Sequence, residues 1–187
     1  MKRREFLDKC AVGFTVTAGS LASLTATHAA EDAASRKIDA DKLAKTAHEH
    51  FIPGKRTCCE AILMAGCEAL EIESELVPDI ALGLAGGIGL RGETCGVISS
   101  SAMVISLAVA AKEKDYAKKK MQILGAVGRL CCAFKEQCGH TDCRSLCGLD
   151  LTKPEDRMKL KKGVKAQTCA KFVKAGARLL AKELQSI

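Results

Sequence analysis

The sequence predicts an all-α protein, a compact multi-helix bundle with a Gly-rich loop ahead of a central helix. Three observations predict it. No stretch alternates apolar and polar residues as a half-buried strand does. Helix-start signatures recur along the chain. One tyrosine, no tryptophan and 3% aromatic residues suit helices packed through small aliphatic side chains.

Residues 1–29 read as an export signal rather than as fold. Lys2-Arg3-Arg4-Glu5-Phe6-Leu7 carries paired arginines, a mildly apolar run from Ala11 to Ala26 follows, and Thr27-His28-Ala29 offers a small-residue cleavage site. This pattern predicts twin-arginine export and a periplasmic location. The apolar run is too short and too polar to span a bilayer comfortably. Cys10 lies inside the signal and has no expected role in the mature chain. Residues 30–38 are a small, polar leader expected to be disordered, and 39–187 are expected to form a single domain. The net charge of +7 falls to +5 without the signal. Lys118-Lys119-Lys120 and the lysines from Lys159 to Lys165 lack interleaved aromatics, which argues against nucleic acid and for solvated helix faces. Docking of an acidic redox partner is the alternative for those faces.

Asp39 to Phe51 reads as a short helix with Leu43, Ala44 and Ala47 on one side, and His48 and His50 as surface residues. Pro53-Gly54 ends it. Thr57-Cys58-Cys59-Glu60 is a capping box opening a helix to about Leu70, so Cys58 and Cys59 sit in a first turn, where N–H groups and the helix dipole favour thiolates. Cys67, nine residues on, reads as core packing.

Glu75 to Leu84 is a third helical piece. It leads into six glycines between Gly83 and Gly96, which imply positive φ angles or a close backbone approach. Gly87-x-Gly89-x-x-Gly92 matches the dinucleotide fingerprint literally, but no strand precedes it. Cys95 then opens a helix to Lys112, again at an N-terminus. After a polar turn, Tyr116 to Gln137 shows two apolar series, Ile123, Val127, Leu130, Phe134 and Met121, Leu124, Gly128, Cys131. That pattern predicts a central helix, thinned at Gly125 and Gly128 for a neighbour. Thr141 is expected to cap a single turn carrying Cys143 and Cys147 on one face, closed by Gly148. Thr152-Lys153-Pro154-Glu155 starts a Lys-rich helix, a break is expected near Gly163, and Cys169, Val173, Gly176, Leu180 and Leu184 form the inner stripe of a last helix.

Ten cysteines remain after the signal, with no C-x-x-C among them. That excludes covalently attached haem, zinc ribbons and thioredoxin-type exchange. A dispersed-ligand iron–sulfur cluster, disulfides and a zinc site all stay open, including a Cys₃His site through His140. A thiol enzyme has only His140, near Cys138 and Cys143, as a base, so an electron carrier or redox subunit is favoured over a stand-alone enzyme.

The ordered motifs T-C-C-E-A-I, G-G-I-G-L-R-G-E-T-C-G, G-H-T-D-C-R-S-L-C-G and T-C-A-K-F-V resemble the redox-active family named for its C_GCAxxG_C_C signature, over roughly residues 55–185. A related module in split-Soret cytochrome c holds an iron–sulfur cluster. The resemblance implies that Cys58, Cys95, Cys143 and Cys169 form the redox-active or cluster-binding set, with [2Fe–2S] the expected cofactor and Cys59, Cys138, Cys147 and His140 as alternates. Val97 and Ser100 depart from the family's alanine and glycine after Cys95-Gly96. Cys59, Cys67, Cys131, Cys132, Cys138 and Cys147 are additional, and could build a second site or disulfides. An electron-transfer partner in the periplasm is implied, homodimer formation is left open, and the alternative function is a disulfide-stapled helical binding or structural module without a cofactor.

Overall fold

The computed structural model describes residues 38–187; the expected export signal, residues 1–29, and nearly all of the expected leader lie outside the described residues. The chain is all-α, as its sequence patterns require. Among the described residues seven α-helices follow one another: α1 (Ala40–Phe51), α2 (Cys58–Ala69), α3 (Gly96–Lys112), α4 (Tyr116–Cys138), α5 (Cys143–Cys147), α6 (Pro154–Lys159) and α7 (Ala170–Gln185). A 3-10 segment, Asp79–Leu84, precedes the glycine loop, and a π-helical segment, Leu160–Cys169, joins α6 to α7. No described helix is long and apolar enough to cross a membrane.

The helix starts are set by local chemistry. Asp39 caps α1 by accepting from the Asp41 and Lys42 N–H groups. At α2 the capping box forms in full: the Thr57 N–H donates to Glu60 Oε2 at 2.8 Å, and the Glu60 N–H donates to Thr57 Oγ1 at 3.4 Å. Asp115 caps α4. At α5 the cap is Asp142, which accepts from the Ser145 N–H at 2.7 Å, rather than the expected Thr141. Thr141 is occupied otherwise, because its carbonyl accepts from the Cys95 N–H.

α3 is the central helix, packed against α2, α4 and α7. Val97, Val104, Ile105 and Val109 are fully buried along it. Val97 finds room because Gly176 of α7 stands directly opposite: a Cβ there would collide with Val97 Cγ1. Cys67 joins the main core, as its helical position predicts. The stripe Val173, Gly176, Leu180 and Leu184 is buried on α7.

Two further expectations are corrected. α4 is peripheral, not central. Ala126, Leu130 and Phe134 are its buried residues, whereas Met121 and Leu124 are 71% and 59% exposed and no atom lies within 4 Å of where a Gly128 Cβ would be. The second apolar series is real in the sequence but lacks a helix to cover it. Gly163 does not break the chain either. The backbone stays right-handed helical on both sides of the π segment, a widened turn absorbing the glycine instead of ending the helix.

Candidate functional site

The glycine loop is built as a series of turns that ends pinned to the segment before α5. Gly87 takes φ 69°, and a Cβ on it would meet Glu93 O at 2.4 Å and Glu93 N at 2.5 Å, so only glycine fits. The Glu93 N–H donates back to Gly87 O, which folds the loop onto itself. Beyond that point Thr94 and Asp142 form an antiparallel bridge. The Cys95 N–H donates to Thr141 O at 2.9 Å and the Cys143 N–H to Glu93 O at 2.7 Å. Cysteines 48 positions apart in the sequence are thereby held side by side at the starts of α3 and α5.

A third helix start closes on them. Gly96 meets the first turn of α2 so closely that a Cβ would lie 2.9 Å from both Cys58 Sγ and Cys59 Cβ. Cys58 interacts with Cys59 and with Cys95, and Cys59 meets Thr57 Oγ1 at 3.1 Å. Cys143 and Cys147 interact across one turn of α5, and Cys143 also feels the charges of Cys58 and Cys169. Cys169, the last residue of the π segment, packs with Cys143, Cys147, Leu149 and Leu151 in a small second core.

The thiols in this group shift one another. In Cys58 the interaction with Cys59 pulls the thiol down, but that with Cys95 and burial outweigh it and leave Cys58 well above its ordinary range. Cys59 is pushed up by its interaction with Cys58 and by burial. The backbone N–H groups of this helix start do pull both thiols down, as expected, but they are outweighed. Between neutral neighbours in a dry pocket, mutual interaction and desolvation exceed what the helix end supplies. Burial, aided by Cys58 and Cys147, raises Cys169 to about 12. Cys143 and Cys147 divide a proton. Their interaction pushes Cys143 up and pulls Cys147 down, with burial, which raises it, and the Leu149 backbone, which lowers it, as smaller influences on Cys147.

All four positions implied by the resemblance thus fall into one interacting group, and Cys59 and Cys147 belong to it as well. The other cysteines do not enter it. Cys138 packs on the main core with its thiol raised by burial alone, Cys131 is half-buried and Cys132 is exposed. His140 is exposed, and His50 pairs with Glu68 at 2.6 Å. All ten cysteines among the described residues are free thiols.

Lys165 is the residue that sequence reasoning missed. Its ammonium donates to Arg56 O at 2.9 Å, lies 4.6 Å from the centre of the Phe51 ring, and is desolvated while attracted by Cys58, Glu60 and Cys169. In the sequence it is one lysine of a Lys-rich run. Its one distinguishing signal is its position four residues before Cys169, about one helical turn.

The family described as "Putative redox-active protein (C_GCAxxG_C_C)" matches residues 56–183. The chain belongs to this family. The matched C_GCAxxG_C_C region spans every cysteine of the buried group and the glycine loop that assembles it. No curated protein and no solved structure matches the chain.

The donor set bears on what this site can hold. Among the described residues no three His, Cys, Asp or Glu side chains already converge as the ligands of one metal ion. A cluster asks for something else: several thiolates spread around a dry cavity, with backbone close enough to donate N–H···S bonds. Six buried or half-buried thiols, the starts of α2 and α3 and the missing Cβ of Gly96 fit that demand.

Proposed function

We propose that Cys58, Cys95, Cys143 and Cys169 bind an iron–sulfur cluster, [2Fe–2S], in an exported electron-transfer protein. The observation that carries this reading is the assembly of these four cysteines, drawn from four separate segments, into one buried group pinned by the Thr94–Asp142 bridge. A cluster bound there would supply one-electron oxidation and reduction at a potential set by its surroundings.

The chain's own residues account for the rest. Thr57 and Glu60 fix the first turn of α2, and with it the direction of Cys58. Gly96 admits the Cys58 sulfur against the start of α3. Leu149 and Leu151 keep water from the Cys143 and Cys169 side. Lys165 places a positive charge beside Cys58 and Cys169, where it offsets the negative charge that four thiolates would bring together. Cys59 and Cys147 stand close enough to serve as exchange ligands. The paired arginines of the N-terminal signal support delivery to the periplasm already folded, and a protein of this kind must exchange electrons with a partner there.

The test is iron and acid-labile sulfide in anaerobically purified protein, with visible spectra before and after dithionite. About two irons and two sulfides per chain with a bleachable band are expected. Cys95→Ala should lose the colour and Cys67→Ala, a core residue, should keep it. Full colour in the Cys95 variant, or a colourless wild-type protein, would overturn the reading.

A further inference from the structure

Two exposed apolar faces of the described chain carry opposite charge. Five of its ten exposed large apolar side chains fall within one stretch, Leu76, Ile80, Leu82, Ile88 and Leu90, from 37% exposed at Leu90 to 65% at Leu76. Around them stand Glu73, Glu75, Asp79 and Glu93, all exposed. From Thr57 to Ala111 the sequence holds seven acidic residues and a single basic one, Arg91, although the chain as a whole is basic. The apolar side chains thus have an acidic rim on the Leu76–Leu82 side, while Arg91 and Arg144, which donates to Arg91 O at 3.2 Å, stand exposed at the Leu90 end.

The second face is the solvent side of α4. Met121, Leu124, Gly125, Gly128 and Cys132 are exposed along it and recur at the helical spacing that puts them on one side. Tyr116, 74% exposed, lies at its start, and Leu107 of α3 is exposed as well. Its flanks carry a net positive charge: Lys118, Lys120 and Lys135 are exposed, against one exposed carboxylate at the far end, Glu136, while Arg129 is already paired with Glu183 at 2.8 Å. Apolar patches with polar rims mark interaction surfaces, and complementary potentials decide which surfaces meet.

We propose that the acidic-rimmed face around Leu82 and Ile88 docks on the basic-rimmed outer face of α4 in a second copy of this chain. Each face supplies what the other lacks, an apolar centre to bury and a rim of opposite charge. Pairing α4 with α4 about a two-fold axis would bring three exposed lysines from each copy together with only Glu136 from each to offset them, and pairing the acidic faces would set carboxylates against carboxylates. The contact is therefore head-to-tail, so each bound copy leaves one face of each kind open, and the assembly closes as a ring or continues as a chain. Leu90 is five residues from Cys95, at most about 18 Å along an extended chain. Docking there brings the neighbour's α4 over the loop that holds the cysteine group. The inference stands independently of whether that group binds a cluster.

Sedimentation velocity on the full chain tests it. The wild-type protein should self-associate at low ionic strength and dissociate as salt screens the rims. Leu82→Ser with Ile88→Ser and Glu75→Gln spoils one face; Met121→Ser with Leu124→Ser and Lys120→Gln spoils the other. Each triple variant alone should associate at least tenfold more weakly, with unchanged helical circular dichroism because every altered side chain is exposed. An equimolar mixture of the two should form a species of two copies and stop there, since each variant keeps the face the other needs. A wild-type protein that stays monomeric at low salt would overturn the proposal. So would a mixture that stays monomeric, or an acidic-face variant that associates as wild type does, which would assign the contact to α4 alone.

Discussion

A Cβ on Gly96 would stand 2.9 Å from the Cys58 sulfur, with the Cys59 Cβ at 2.9 Å and the Cys59 backbone nitrogen at 3.2 Å. The first turns of α2 and α3 therefore touch through a position that only glycine can occupy, and it is this contact that joins Cys58 to Cys95. Gly96→Ala is expected to force the two turns apart, because a backbone atom of Cys59 is among those in the way. Overpacking of this kind costs about 1–3 kcal/mol. Chemical denaturation should show that loss, and the variant should hold less iron than wild type while its far-ultraviolet helix signal is kept. An unchanged iron content would show that the close approach is unnecessary.

Val97 and Gly176 form a complementary pair across α3 and α7. Gly176→Ala alone should destabilise by about 1–3 kcal/mol because Val97 is fully buried and cannot turn away. Val97→Ala, which restores the residue the family resemblance leads one to expect, should cost about 2 kcal/mol through the methyl groups it removes. The double variant should recover about 1 kcal/mol or more of the summed loss, a coupling measurable in a double-mutant cycle. Strict additivity would argue that the two side chains do not share the space.

Ser100 is fully buried and its hydroxyl has no hydrogen-bond partner among the described residues. A buried hydroxyl without a partner carries its desolvation cost uncompensated. Ser100→Ala should raise stability by about 1 kcal/mol, read as a higher denaturation midpoint with an unchanged slope. A destabilised Ser100→Ala protein would mean the hydroxyl has a bonded role.

The Cys143–Cys147 pair gives a pH-dependent signal in metal-free protein. The interaction with Cys143 holds Cys147 below the ordinary thiol value of 9.0, so thiolate absorbance in the ultraviolet should appear on raising the pH before that value is reached. Cys143→Ser weakens that interaction and Cys143→Ala removes it. The first absorbance rise should move to higher pH in the order wild type, serine, alanine. No movement in the alanine variant would assign the early thiolate to another cysteine.

Much of this architecture is legible in the residues themselves. Caps at Asp39 and Thr57, the glycine run to Gly96 and the stripe on α7 are local patterns, and local hydrogen bonding or helical periodicity is enough to specify them. The motif order also picked out Cys58, Cys95, Cys143 and Cys169, which the fold gathers. Other features are decided only in three dimensions. The second apolar series of α4 has the same period whether a neighbour covers it or water does, so its sequence cannot say that Met121 and Leu124 face solvent. The helix-end dipole at Cys58 and Cys59 is a local property, but the thiols that overrule it arrive from Cys95 and from each other through packing. Lys165 is indistinguishable from its neighbouring lysines until the π-helical turn sets it beside Arg56, Phe51 and Cys169. The sequence determined where the α-helices start, apart from the run through Gly163, and which cysteines carry the family motifs, because those depend on near neighbours. Tertiary structure decided which thiols meet and which apolar faces stay uncovered, because those depend on long-range contacts such as the bridge between Thr94 and Asp142.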